Sequence, residues 1–323
     1  MLKKQRTVAI FITSLFMLVG CLPIYIEVYH EISPFEEIPD KDLAFQSKAG
    51  YQEDEEMIFL DVENGSINKQ VLNFKVVKPI WHTKDLVFYL TGDMNANPTL
   101  GYPAYFDVST GVNKQCLRNM QTFDQIEPFN HLNNQYEVVI SNGGNILIYD
   151  IEKCKIVKTL FQRDGENEDI FIFGISYNKI QNTLLFGTKR YTKYSVDKIS
   201  IKALNLATNE IKDIAIGVHP AWAPDGQTFA YLGIDGIYIY DIQSELTHKI
   251  THLDYCTPEY SYTASENLPL LRWSSDGEFI AFHCGEDEGV YDFEIDANII
   301  YSVSIDGEMT KLYHGGIFPT WLP

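Results

Sequence analysis

Short apolar runs of strand length, not helical stripes, dominate the hydrophobic pattern of the chain. At six places an apolar run ends in a polar residue, then one more apolar side chain: Phe59-Leu60-Asp61-Val62, Tyr105-Phe106-Asp107-Val108, Ile148-Tyr149-Asp150-Ile151, Ala203-Leu204-Asn205-Leu206, Ile239-Tyr240-Asp241-Ile242 and Ser302-Val303-Ser304-Ile305. Turn formers such as Asn64-Gly65, Thr110-Gly111 and Asp306-Gly307 follow, and then another short strand, as at Lys249-Ile250 and Lys311-Leu312. Strand alternation marks Glu137-Val138-Val139-Ile140 and Thr183-Leu184-Leu185-Phe186 as well. The markers lie 36 to 63 residues apart, the size of a four-stranded propeller blade.

A second pattern repeats more sharply. Ala221-Trp222-Ala223-Pro224-Asp225-Gly226-Gln227-Thr228-Phe229-Ala230-Tyr231 recurs, at an offset of 51, as Arg272-Trp273-Ser274-Ser275-Asp276-Gly277-Glu278-Phe279-Ile280-Ala281-Phe282. An Asp-Gly turn between two short strands is a hairpin by its turn chemistry. Pro79-Ile80-Trp81 with Leu86-Val87-Phe88-Tyr89 is a weaker copy, its turn shorter and without the Gly. The repeated Trp81, Trp222, Trp273 and Trp321 are expected to pack between blades, and Asp225 and Asp276 to bond turn N–H groups.

The chain ends at Pro319-Thr320-Trp321-Leu322-Pro323, a first strand with nothing after it, whereas residues 39 to 45 copy a second strand with nothing before it. The two halves make one blade. The expectation is an all-β, six-bladed β-propeller of four-stranded antiparallel blades over residues 39–323, closed by pairing the C-terminal strand with N-terminal strands, which protects the sheet edge.

These residues resemble the TolB-type propeller repeat, a relative of WD-like repeats, in its Trp-x-Pro-Asp-Gly-x-x-Phe-Ala-Tyr pattern. The match is sharp at 220–231 and 272–282 and diffuse at 79–90. TolB carries a further amino-terminal domain, for which the residues before position 39 leave no room.

Those residues carry a different pattern. Lys3, Lys4 and Arg6 precede an apolar stretch from Val8 to Val19, the n-region and h-region of an export signal with its N-terminus inside. Leu18-Val19-Gly20-Cys21 resembles the lipobox of bacterial lipoproteins, which implies cleavage before Cys21 and a lipid on its sulfur. The division expected is a signal peptide over 1–20, a lipidated Cys21 and tether over 21–38, then the propeller. An uncleaved signal-anchor is the alternative, since apolar character resumes at Ile24, Tyr25, Ile26 and Val28. Either route puts the chain in the cell envelope, on the extracytoplasmic side, and Leu22 in place of Asp leans toward an outer membrane facing the periplasm where there is one.

The formal charge of −19 becomes −22 once the three cations of the signal are removed. Such an acidic chain with no basic stripe repels phosphate backbones, so nucleic acid is excluded as an expected partner. The 45% hydrophobic content excludes disorder.

Catalytic signatures are missing: the chain has no Gly-x-Ser-x-Gly, His-Glu-x-x-His, Walker loop or Gly-x-Gly-x-x-Gly. His248 and His252 share no helical face and read as ordinary surface or core histidines. The chemistry-bearing feature is instead a set of long connections, 91–103, 188–197, 252–267 and 283–298, expected on one propeller face. Glu53, Asp54, Glu55 and Glu56 lie on one side of the closure and Glu286, Asp287, Glu288, Asp292, Glu294 and Asp296 on the other, with Asp254, Tyr255, Glu259 and Glu266 beside them. Concentrated like charge stays solvated, meets a basic partner, or holds a hard cation. Asp292, Glu294 and Asp296 are the metal candidates, with Ca²⁺ the one cofactor considered and none otherwise expected. Tyr255, Tyr260 and Tyr262 among the carboxylates suit either a binding surface or packing on the rim.

Cys116, Cys154, Cys256 and Cys284 remain once Cys21 is set aside, and no C-x-x-C points to zinc or thioredoxin-like chemistry. If any disulfide forms, Cys256–Cys284 is the pair expected. The function these features favour is an envelope lipoprotein whose acidic face binds or scaffolds an envelope protein or peptide with a basic surface. A propeller hydrolase or lyase acting on a glycan or peptide, and a calcium-stabilised structural lipoprotein, are the alternatives.

Overall fold

The structure, a computed structural model, describes residues 28–31, 43–47, 55–60, 67–72, 76–91, 101–116, 123–129, 135–142, 144–163, 170–191, 196–253, 270–285, 298–314 and 316–321. Within them the chain is all β, as antiparallel sheets. The first sheet joins β2 (Leu43–Ser47), β3 (Glu55–Leu60) and β4 (Ile67–Leu72) to the last strand, β25 (Gly316–Trp321), in the order β25-β2-β3-β4. The second holds β5 (Val77–Thr83), β6 (Leu86–Thr91), β7 (Tyr102–Asp107) and β8 (Val112–Gln115), with β1 (Val28–Glu31) added outside β8. The third holds β9 (Gln125–Pro128), β10 (Glu137–Ser141), β11 (Asn145–Asp150) and β12 (Lys155–Gln162). The fourth holds β13 (Ile170–Asn178), β14 (Thr183–Tyr191), β15 (Val196–Asn205) and β16 (Ile211–Ala215). The fifth holds β17 (Val218–Trp222), β18 (Thr228–Leu232), β19 (Gly236–Asp241) and β20 (Leu246–His252). The sixth holds β21 (Arg272–Trp273), β22 (Phe279–Gly285), β23 (Asn298–Ser304) and β24 (Met309–His314).

Five sheets are the four-stranded antiparallel blades expected. The other departs from that pattern. Val28–Glu31, read from sequence as part of a tether, pairs with Gln115–Val112 and gives the second sheet a fifth strand. Its alternation escaped notice because it follows directly on the apolar export segment. The closure is as expected: Leu43 faces Trp321 and Ser47 faces Gly316 across the β2–β25 pair.

The polar marker residues have a local cause. Asp107 Oδ1 accepts from the Thr110 N–H at 3.0 Å, Asp150 Oδ1 from Lys153 at 2.9 Å, Asn205 Oδ1 from Ala207 at 2.9 Å and Asp241 Oδ1 from Ser244 at 2.7 Å. Each ends a third strand by bonding the turn that leaves it. The Asp-Gly hairpins behave likewise: Asp225 accepts from the Gln227 N–H and Asp276 from that of Glu278, while Gly226 and Gly277 take φ of 68° and 77°.

Packing explains the apolar runs. Each sheet is buried on both faces, so successive residues of one strand enter different cores. Val87 and Tyr89 pack toward Ala44 of the first sheet, whereas Phe88 and Leu90 pack toward Ile126 and Val138 of the third. Val139 faces Leu184 and Phe186; Leu185 faces Trp222 and Phe229; Ala230 faces Ile280 and Phe282; Ala281 faces Leu43. The first strand of each sheet touches its neighbours in turn, β25 to β5, β9, β13, β17, β21 and back to β25. The molecule is therefore a closed β-propeller with these strands around its axis.

Two of the repeated tryptophans tie neighbouring sheets together. Trp273 Nε1 donates to the Ala221 carbonyl at 2.9 Å, and Trp321 Nε1 donates to the Arg272 carbonyl at 2.8 Å. The acceptor in each case is the residue before the preceding sheet's own tryptophan.

Cys116, just after β8, is bonded to Cys154 in the β11–β12 turn, linking the second sheet to the third. Cys256–Cys284 is therefore not the one pair: Cys116–Cys154 is a disulfide that was not expected. Residues 38 apart in sequence meet because the two sheets are adjacent in the ring. Cys284 is also disulfide-bonded, while Cys256 lies outside the described residues.

Candidate functional site

The inner strands begin at the end of the propeller where the β2–β3, β20–β21 and β22–β23 connections leave. Ser47, the last residue of β2, faces Gly316, the first of β25; Gly285 at the end of β22 lies beyond the β21 pairing. The acidic segments of the sequence therefore attach at one end and to adjoining sheets. Glu55 and Glu56 are the first two residues of β3, where a connection was expected. The expected loop over 188–197 is likewise mostly strand, since β14 runs to Tyr191 and β15 starts at Val196. Cys21, Glu53, Asp54, Asp254, Tyr255, Glu259, Glu266, Glu286, Asp287, Glu288, Asp292, Glu294 and Asp296 lie outside the described residues. Among the described residues no three His, Cys, Asp or Glu side chains converge as metal ligands.

What the described residues do assemble at this end is basic. Two inner strands carry the same local motif, Val77-Lys78-Pro79-Ile80-Trp81 and Val218-His219-Pro220-Ala221-Trp222. In both, the register slips between the Val and the residue after Pro, a β-bulge that re-aims a side chain. Lys78 and His219 adopt the left-handed conformation there, with φ of 53° and 51°. For non-glycine residues this costs about 1–3 kcal/mol and marks positions the surrounding structure over-determines. The backbone at His219 is tightly enclosed: a Cβ on Gly174 would lie 2.3 Å from His219 Cα, and one on Gly187 would lie 2.8 Å from Val218 Cα.

Around these two positions lie further charges. Arg272 of β21 forms an ion pair with Glu127 of β9. Their sheets stand opposite one another in the ring, so the pair crosses the axis. Burial pushes the Glu127 carboxyl up, and the Arg272 guanidinium beside it pulls the other way. Lys78 Nζ donates to the Asp124 carbonyl at 2.5 Å. Lys189, near the end of β14, is fully buried, its ammonium 4.8 Å from the centroid of the Phe173 ring. His219 meets the same ring edge-on at 6.3 Å.

The electrostatics follow from this crowding. Burial holds His219 well below the ordinary histidine range, and Lys189, Lys78, His283 and Arg272 push in the same direction. Burial, with Lys78, brings His283 down to about 3. Burial brings Lys189 down to about 8. At neutral pH both histidines are uncharged and Lys189 remains largely a cation. Among the described residues Lys189 Nζ and both His219 ring nitrogens have no hydrogen-bond partner.

None of Lys78, Glu127, Lys189, His219, Arg272 or His283 was marked out by sequence reading. The available signal was the residue before Pro in the Pro79 and Pro220 repeats, basic in both. Chemically, the set can neutralise and hydrogen-bond negative charge. Glu127, its carboxylate, is committed to Arg272.

The sequence matches no protein-family model and no curated protein. Its structure is similar to many solved β-propellers. The similarity to a provisionally assigned TolB from Agrobacterium tumefaciens covers 87% of this chain and 99% of that one, with TM-score 0.56 and 10% identity. An oligogalacturonate lyase in complex with manganese is similar over 84% of this chain and 72% of its own, with TM-score 0.46 and 12% identity. A calcium-binding regucalcin, also from Agrobacterium tumefaciens, is similar over 77% and 75%, with TM-score 0.47 and 9% identity. The fold is a β-propeller, as the repeat pattern led one to expect, and it is similar to that of the TolB structure.

Proposed function

We propose that this chain is an envelope lipoprotein, anchored through Cys21 on the extracytoplasmic side, whose propeller binds or scaffolds an envelope protein or peptide with a basic surface. On this reading its ring is six-bladed, the five-stranded sheet counting as one blade. The observation that carries the proposal is topological. The connections holding Glu53 and Asp54, Asp254 to Glu266, and Glu286 to Asp296 all attach at the same end of adjoining sheets. Loops gathered at one end of a rigid scaffold are where propellers present binding residues. With a formal charge of −19, a cationic surface is the complementary partner.

Cross-linking in native cells followed by affinity capture tests this, comparing the intact chain, Cys21→Ala, and Glu286→Gln/Asp287→Asn/Glu288→Gln. The expected result is a defined basic partner captured by the intact chain and lost on neutralisation, with the intact chain, but not Cys21→Ala, beginning at residue 21 and taking up labelled fatty acid. Equal capture by the intact and neutralised chains overturns the assignment of the face. An unlabelled intact chain that keeps residues 1–20 overturns the lipid anchor.

A further inference from the structure

A buried ammonium over an aromatic ring with no hydrogen-bond partner among the described residues, beside an imidazole whose two nitrogens likewise have none there, needs a physical reason. Buried polar groups are ordinarily satisfied, and leaving a charged one unsatisfied is costly. Here Lys189 and His219 flank the Phe173 ring between the fourth and fifth sheets, close to the axis. Lys78, His283 and Arg272 are near enough to act on His219 electrostatically. Among the described groups Glu127 is the facing carboxylate, and it is held by Arg272. The region thus carries excess positive charge and unused donors inside a strongly acidic protein. Of these groups His219 sits on strained left-handed backbone, as Lys78, whose ammonium bonds the Asp124 carbonyl, does at the equivalent position of another repeat.

We propose that this cluster is a binding site for a small oxyanion, a carboxylate or phosphate group, held by Lys189 and His219 with Lys78 and His283 behind them. An oxyanion supplies acceptors to Lys189 Nζ and takes an N–H from His219, pairing groups that have no partner among the described residues. Its negative charge also relieves the mutual repulsion of the surrounding basic groups. Lys189, near the end of β14, and His283, near the end of β22, lie toward the end of the propeller where the β14–β15 and β22–β23 connections leave. The ligand enters along the axis from that end. This site lies at the same end as the proposed acidic connections but is made of other residues, and its test does not depend on a partner binding there.

Thermal unfolding of the full chain, in detergent, in inorganic phosphate, and separately in acetate, each against chloride at matched ionic strength, tests the site. Isothermal titration with the same probes gives the affinity. The expected result is a saturable rise in Tm with at least one probe, about 5 °C at a hundredfold excess over Kd. Phosphate alone, acetate alone, or both identify the group recognised. Lys189→Met weakens binding by roughly tenfold or more, His219→Asn weakens it less, and exposed Lys158→Met leaves it unchanged. Lys189→Met is also expected to melt at a higher temperature than the parent in chloride, because it removes an unsatisfied buried charge while keeping the side-chain length. That outcome separates a lost ligand from a lost fold. No shift with either probe, or an undiminished shift in Lys189→Met, overturns the proposal.

Discussion

His219 and His283 are held neutral by where they sit. An unfolded histidine titrates near 6.5, whereas the folded chain takes His283 down to about 3. On acidification the unfolded chain therefore binds protons first. Stability contributed by keeping these rings neutral is full above about pH 6.5 and falls below it, at about 1.4 kcal/mol per pH unit for each histidine. Urea unfolding of the parent and of His283→Asn at pH 7.5, 6 and 5 should show the parent losing stability more steeply, by about that slope. Parallel losses would mean that His283 is accessible to protons in the folded state. Lys189 has the opposite range. Its depressed value, about 8, means the unfolded chain holds more protons between there and 10.5, so stability should rise with pH across that interval. These residues were hard to see in the sequence for a physical reason. A lysine within the alternation of Thr183–Tyr191 reads as solvent-facing, and only the fifth sheet packed against it makes it buried.

Strands and turns were far more legible, because their signals are local. Asp107, Asp150, Asn205 and Asp241 announce the ends of third strands through bonds to their own turns. The closure could be read too, since Pro319–Trp321 and Leu43–Phe45 are complementary fragments of one repeated hairpin. What joins one element to the next sheet was not legible, as it spans tens of residues. The Trp273 indole bond to Ala221 is one such joint. Trp273→Phe removes it and leaves a backbone acceptor unpaired, and is expected to cost about 1–2 kcal/mol in chemical denaturation. Cys116–Cys154 is another. Replacing both cysteines with Ala releases a loop of 38 residues, which corresponds to about 3–4 kcal/mol of loop-closure entropy. Unfolding under oxidising conditions, compared with the double variant, checks this value, and an unchanged midpoint would show that the bond adds nothing to the packing between the two sheets.

Across the whole molecule, charge is arranged by depth. The formal charge of −19 belongs to the chain as a whole, yet the buried centre near the start of the inner strands is basic. Added salt should therefore act differently on the two proposed sites: it screens charges in contact with solvent within a Debye length and so weakens a cationic partner of the proposed acidic face. An oxyanion held behind the strands is screened much less. Beyond charge, the added strand β1 says how the propeller would hang. It begins seven residues after Cys21 and joins the outermost edge of the second sheet. Seven residues span at most about 25 Å. A lipid on Cys21 would thus hold the disc by its rim on a short leash, like a coin on a thread. The anchor would then sit at the edge of one blade and at neither flat end of the ring.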